Sequence, residues 1–182
     1  MQSEYEKLSS VYEQVGEDPN VFSDEDVAHL MIQENRVIGG HLVPGLEVNT
    51  QELEDGVAVK IYVAPGSVIE RPVQMCFGVL PEEGVQRIEL DVEIGEESAI
   101  DVLAHCAFPN AVKVEHVMNA EIRLRQGATY RYFERHVHGD KGGVSVLPKA
   151  KVYLEEASSF ETEFELIQGR VGEIDVDYET WA

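Results

Sequence analysis

AEIRLRQGATYRYF, residues 120–133, alternates apolar with polar residues, turns at Gln126-Gly127-Ala128 and then alternates again. The same plan recurs at thirty-residue offsets, in LDVEIGEESAIDVL (90–103) and AKVYLEEASSFETE (150–163), and one offset of thirty-one earlier, in VKIYVAPGSVIERP (59–72). Each unit carries an inward triplet: Val59-x-Ile61-x-Val63, Leu90-x-Val92-x-Ile94, Ala120-x-Ile122-x-Leu124 and Ala150-x-Val152-x-Leu154. A period of two marks a half-buried strand, and the i, i+3, i+4 spacing of helical repeats is missing from these units. Strands that recur every thirty residues leave no room for crossover helices. They predict a right-handed parallel β-helix, a β-solenoid in which each unit is one coil stacked roughly 4.8 Å from the next. An antiparallel barrel would explain the alternation but not corners that recur in register. The stacking also makes Glu121 and Lys151 neighbours on consecutive coils, a pair of opposite charge.

The N-terminal residues follow another period. Tyr5, Leu8, Tyr12 and Val15 form a helical stripe. Ser23-Asp24-Glu25-Asp26 reads as the capped start of a second helix whose apolar face is Val27, Leu30 and Met31. The expected division is a helical segment over 1–38 and a β-helix core over 39–182.

Thirty-five acidic and fourteen basic residues give a net charge of −21. That charge argues against nucleic acid and acidic membranes as partners. With 43% hydrophobic residues, no long apolar run and an acidic MQSEYEK start, the chain reads as a cytoplasmic globular protein. It carries no serine–histidine–acid grouping, phosphate loop or CxxC motif, and the expectation is a protein that is not an enzyme.

The densest set of metal-ligand types is FERHVHGD (133–140). Glu134, His136 and His138 share one face of a strand. Cys106 lies eight residues past Ser98 and His136 eight past Ala128, so the repeat stacks Cys106 on His136 on adjacent coils. Cys76, thirty residues before Cys106, could extend the column, although the thirty-one-residue first interval leaves its register open by one. A thiol and an imidazole side by side suit zinc, iron or an iron–sulfur cluster. The candidate ligands are therefore Cys106, His136, His138, Glu134 and Cys76; His105, His116 and Asp140 are not placed by the repeat. The same residues also fit a buried thiol and solvated imidazoles at a strand end. A cupin-type site needs a glutamate where Gly142 stands. A carbohydrate-active β-helix would draw its acids from Asp91, Glu93, Asp101 and Glu121, and a structural homodimerising module would use the coil ends.

The stretch VKIYVAPGSVIERPVQMCFGV (59–79), with Gly66, Glu70, Pro72, Val73 and Gln74, resembles the SufB/SufD scaffold proteins of iron–sulfur cluster assembly. IGEESAIDVLAHC (94–106) and RLRQGATYRYFERHVHG (123–139) resemble them too. The likeness spans roughly residues 35–182 and is carried by a diffuse repeat pattern. It implies a right-handed β-helix scaffold for iron or a nascent iron–sulfur cluster, in a homodimer or with a SufB/SufD-like partner. It also implies a SufC-type ATPase, whose docking in that family uses a C-terminal helical segment. No such pattern follows ELIQGRVGEIDVDYETWA (165–182), and family members are usually longer, with their cluster-linked residues in later coils. The resemblance therefore assigns no role to an individual residue here, and the candidate ligands rest on the repeat.

Overall fold

Alternation becomes architecture in the computed structural model, which describes residues 2–14 and 17–182, and of Gln14 the backbone only. A helix α1 (Glu4–Gln14) and a 3-10 turn (Pro19–Phe22) precede thirteen strands. These are β1 (His29–Gln33), β2 (Arg36–His41), β3 (Leu46–Glu52), β4 (Val57–Val63), β5 (Val73–Gly78), β6 (Glu83–Ile94) and β7 (Ala99–Phe108). Then follow β8 (Lys113–Leu124), β9 (Thr129–His138), β10 (Val144–Leu154), β11 (Ser159–Gln168), β12 (Glu173–Ile174) and β13 (Asp177–Trp181).

Two sheets result. The first runs β11-β9-β7-β5-β1-β2, and the second β12-β10-β8-β6-β4-β3 with β13 also on β10. Apart from the antiparallel β1–β2 and β3–β4 pairs, every ladder is parallel. This is the expected β-solenoid. Inward side chains stack in columns such as Ile61–Val92–Ile122–Val152, all buried. Outward positions carry the charge. Glu121 and Lys151 are register partners as expected, but the Glu121 carboxylate is taken by Arg123 on its own strand.

The corners explain the thirty-residue period. Gly66, Glu97, Gly127 and Ala157, the second residue of successive corners, all have positive φ, between 50° and 71°. Their amides join the coils: Gly66 N–H donates to the Glu96 carbonyl (2.8 Å), Glu97 N–H to Gln126 (2.9 Å) and Gly127 N–H to Glu156 (3.0 Å). The left-handed region costs a residue with a Cβ roughly 1–2 kcal/mol. Ala157→Gly is therefore expected to raise the unfolding free energy by about 1 kcal/mol in urea titration. An unchanged or lowered midpoint would contradict this account of the corner.

The N-terminal expectation holds for one helix only. In α1, Leu8 and Tyr12 are buried, and the helix lies against the outer face of the first sheet with Met31, Cys76, Ala107 and Val137. Val15 falls outside the described residues. The second helix is not formed. Asp24 instead makes a tight turn, accepting from the Asp26 amide (3.0 Å), and bonds Arg71 (2.6 Å). Leu30 and Met31 then sit in β1, all five residues of which are buried. A strand buried on both faces shows no alternation, and a short apolar run of that kind cannot be told from a helix by period. The β structure thus begins at His29, inside the segment expected to be helical.

Candidate metal centre

The repeat register brings Cys106 and His136 together. They are direct partners across β7 and β9, in an inward column Phe77–Cys106–His136–Leu166. Glu134, two residues before His136, points inward in the next column. From the opposite sheet, β8 contributes His116, so the group draws on three strands and closes across the solenoid core. Cys106, His116, Glu134 and His136 are all buried, none more than 3% exposed. Their ligand atoms lie within 4.8 Å of one another. Cys106 Sγ is 3.8 Å from His116 Nε2 and 3.6 Å from Glu134 Oε1, and His116 Nε2 is 4.0 Å from the same carboxylate oxygen.

Hydrogen-bond partners assign the tautomers. Gln86 donates its amide to the carbonyls of Glu34 (2.8 Å) and Gly78 (3.2 Å). Its Oε1 therefore faces His116 Nδ1 at 2.9 Å and accepts a hydrogen bond from Nδ1–H. His116 Nε2 is left with a lone pair pointing at Cys106 and Glu134. On the other side, His138 Nδ1 donates to the Arg170 carbonyl (3.1 Å). His138 Nε2 accepts from His136 Nδ1–H (3.0 Å). That leaves His136 Nε2 facing Glu134 Oε1 at 2.5 Å. A lone pair and a carboxylate at this distance require one cation between them, a proton or a metal ion.

Burial dominates the electrostatics. It lowers the His116 pKa to about 4, with the His136 and His138 charges adding to it and Glu134 opposing. It lowers His138 to about 4 as well, helped by His136. Both rings are neutral at pH 7, the form that binds metal. Burial, then the Glu134 charge, pushes the Cys106 thiol well above its ordinary value. Burial raises Glu134 too, but its bond to His136, the charges of His136 and His116 and the Cys106 thiol outweigh it, and the carboxyl ends below its usual range. Glu134 is ionised, and a metal would have to displace the Cys106 proton.

Of the five expected ligands, the structure brings together Cys106, His136 and Glu134. His138 stands behind His136 as its hydrogen-bond partner and is not in the convergent group. Cys76 belongs elsewhere: it partners His105, and Phe77 takes the place next to Cys106. The first coil is longer between its corner and β5. Val68 aligns with Ala99 and Val73 with Val102, five residues against three. The offset between the coils passes from thirty-one at Val68 to twenty-nine along β5. Either differs from thirty by one, and a shift of one places Cys76 on the outward face, beneath α1, where burial raises its thiol to about 12. Cys76→Ala is expected to leave metal affinity unchanged in a competition titration, and a tenfold loss would return Cys76 to the site. Asp140 lies exposed in the turn after β9. His105 faces outward against Tyr12, with ring centres 4.1 Å apart.

His116 is the member of the buried group that the repeat did not place. Counting back by twos from Ala120, Ile122 and Leu124 reaches Met118 and His116 on the same inward face, and the thirty-residue step from His116 reaches Gln86. The acids of the carbohydrate reading are engaged in ion pairs on the outer faces: Asp91 with Lys60 and Arg123, Glu93 with Arg125, Asp101 with Arg131 and Glu121 with Arg123. A groove of about 800 Å³ does run along the outer face of the second sheet, remote from the buried group.

These features define a β-solenoid with a buried set of cysteine, glutamate and two histidines. No family model matches the chain. It is similar to curated proteins from two archaea, each named an iron–sulfur cluster assembly SufBD family protein. The protein from Methanocaldococcus jannaschii is 31% identical over 160 residues, 85% of this chain and 51% of the relative. The one from Pyrococcus horikoshii is 29% identical over 174 residues, 96% of this chain and 52% of the relative. The similarity to these SufB/SufD-type proteins runs over most of the chain, and the chain spans about half the length of the curated relatives it matches.

Proposed function

We propose that this chain serves iron–sulfur cluster assembly as a non-catalytic scaffold or accessory protein, with Cys106, His116, Glu134 and His136 holding iron, or a nascent cluster, as cargo. The observation that carries the reading is the convergence of four ligand atoms within 4.8 Å in the core, in a chain whose relatives are named for cluster assembly. Thiolate and imidazole together favour iron and zinc over the hard cations that prefer all-oxygen sites. Burial of all four groups suits holding an ion rather than turning over an organic substrate. In this reading the protein works in the cytoplasm with a second copy or a SufB/SufD-like partner, and a SufC-type ATPase drives the assembly. Among the described residues, no helix is long and apolar enough to cross a membrane.

The test is iron uptake. Protein purified without oxygen is incubated with ferrous iron and a reductant, desalted and assayed for metal. Wild type is expected to retain iron and Cys106→Ala to lose most of it. Wild type that emerges free of iron, or a Cys106→Ala variant that retains as much, sinks the assignment.

A further inference from the structure

We propose that this buried set is built for a single divalent transition-metal ion and not for a polynuclear cluster, with Gln86 and His138 as the positioning residues that aim its two imidazoles. The proposal rests on the reading of the group as a metal-holding site and narrows what it holds.

Span is the first argument. Around one tetrahedral ion with bonds of about 2.0–2.3 Å, ligand atoms stand roughly 3.3–3.8 Å apart. The separations from Cys106 Sγ to His116 Nε2 and to Glu134 Oε1, 3.8 and 3.6 Å, and from His116 Nε2 to Glu134 Oε1, 4.0 Å, already lie close to those edges. The His136 Nε2 to Glu134 Oε1 contact, 2.5 Å, is held short by a shared proton. It opens by about 1 Å when an ion takes that proton's place. In a cluster, the four terminal ligands are divided between at least two irons, and those on different irons have inorganic sulfide between them. Ligands on different irons stand farther apart than ligands on one ion, whereas here all four ligand atoms lie within 4.8 Å of one another.

Room is the second argument. The Phe108 ring packs 5.2 Å from that of His116, and the Phe164 ring 4.5 Å from that of His136. Bridging sulfides would have to displace these rings, whereas a lone ion fits between ligand atoms already in place. Charge is the third. One thiolate and one carboxylate balance one divalent ion, and a site of zero net charge carries the smallest desolvation cost in a core.

The aiming of the rings is fixed outside the ligand set. Gln86, anchored by two backbone carbonyls, accepts from His116 Nδ1. His138, anchored by the Arg170 carbonyl, accepts from His136 Nδ1. Each arrangement turns an Nε2 lone pair toward the centre, the usual way in which an outer partner fixes a ligating histidine.

The test titrates the full chain with cobalt(II) under anaerobic conditions. The expected result is saturation at one ion per chain, with the visible bands of four-coordinate cobalt and a thiolate-to-cobalt charge-transfer band. The charge-transfer band disappears in Cys106→Ser while the metal-free variant unfolds at a temperature close to wild type. Gln86→Met is expected to weaken cobalt binding about 10- to 100-fold. In the metal-free state, imidazole nitrogen shifts should show His116 moving from the single Nδ1–H tautomer to a mixture, which a merely structural role for Gln86 would not produce. Two or more irons with matching sulfide per chain, bound through Cys106 after reconstitution, would overturn the single-ion proposal and leave the assembly reading standing. A charge-transfer band indifferent to Cys106→Ser would also overturn it. Failure to take up cobalt, zinc or iron at all would overturn both.

Discussion

Zinc(II) at a thousand times its dissociation constant raises the unfolding free energy of the protein by about 4 kcal/mol, and Cys106→Ala abolishes most of that gain. An ion that binds the folded chain alone stabilises it by mass action, whatever its affinity, once its concentration is stated in units of that affinity. The folded chain has four ligand atoms already within 4.8 Å, and the unfolded chain does not. Removing Cys106 deletes the soft ligand and leaves two imidazoles and a carboxylate. The variant's affinity falls by orders of magnitude, and zinc at the same total concentration shifts its denaturation midpoint little. Equal shifts in both proteins would place the ion somewhere other than this core.

Acid is expected to act nearly as strongly on the metal-free protein. Three buried histidines have folded-state pKa values of about 4 against 6.5 for the unfolded chain. Burial is the main cause at each, reinforced by Arg135 at His105 and by His136 at His116 and His138. Between pH 6.5 and 4, the unfolded chain binds protons at these positions that the folded chain refuses. Stability therefore falls as the pH is lowered through that window, and these groups contribute no slope above it. Each shift corresponds to on the order of 3 kcal/mol, so the three together approach the whole stability of an ordinary domain. The net charge of −21 works in the opposite sense, since protonating carboxylates relieves their repulsion. That relief comes mainly below about pH 5, and the histidines govern the upper part of the window. Urea unfolding at pH 7.5, 6 and 5 should show a midpoint that drops at each step. His105→Phe should flatten part of the drop, because His105 Nδ1 and Nε2 have no hydrogen-bond partner to lose. A midpoint constant from pH 7.5 to 5 would contradict the buried neutral state assigned to these rings.

The coils were legible because each repeats the same corner. A left-handed residue followed by a small one, at Gly66-Ser67, Glu97-Ser98, Gly127-Ala128 and Ala157-Ser158, sets the period. Stacking then follows from counting, and Cys106 opposite His136 is the result. The count fails where a coil changes length without a marker. From Val68 to Val73 the offset to the next coil passes from thirty-one to twenty-nine, and because neither is thirty, Cys76 falls on the outer face. His116 was missed for a different reason. It lies on a strand of the opposite sheet, and nothing in a one-dimensional period says which positions of two facing sheets meet across the core. The same holds for His138, whose parity matches that of the ligands but whose ring is turned to Arg170. The segment from Val27 to Ile32 reads equally as helix or strand, because burial on both faces removes alternation.

X-ray absorption at the zinc edge of the loaded protein tests the central claim most directly, because it counts the ligands of the bound ion. One sulfur at about 2.3 Å with three nitrogen or oxygen neighbours at about 2.0–2.1 Å is the predicted shell, with the sulfur lost in Cys106→Ser. A shell of light atoms alone in the wild-type protein would show that Cys106, His116, Glu134 and His136 do not converge on the metal.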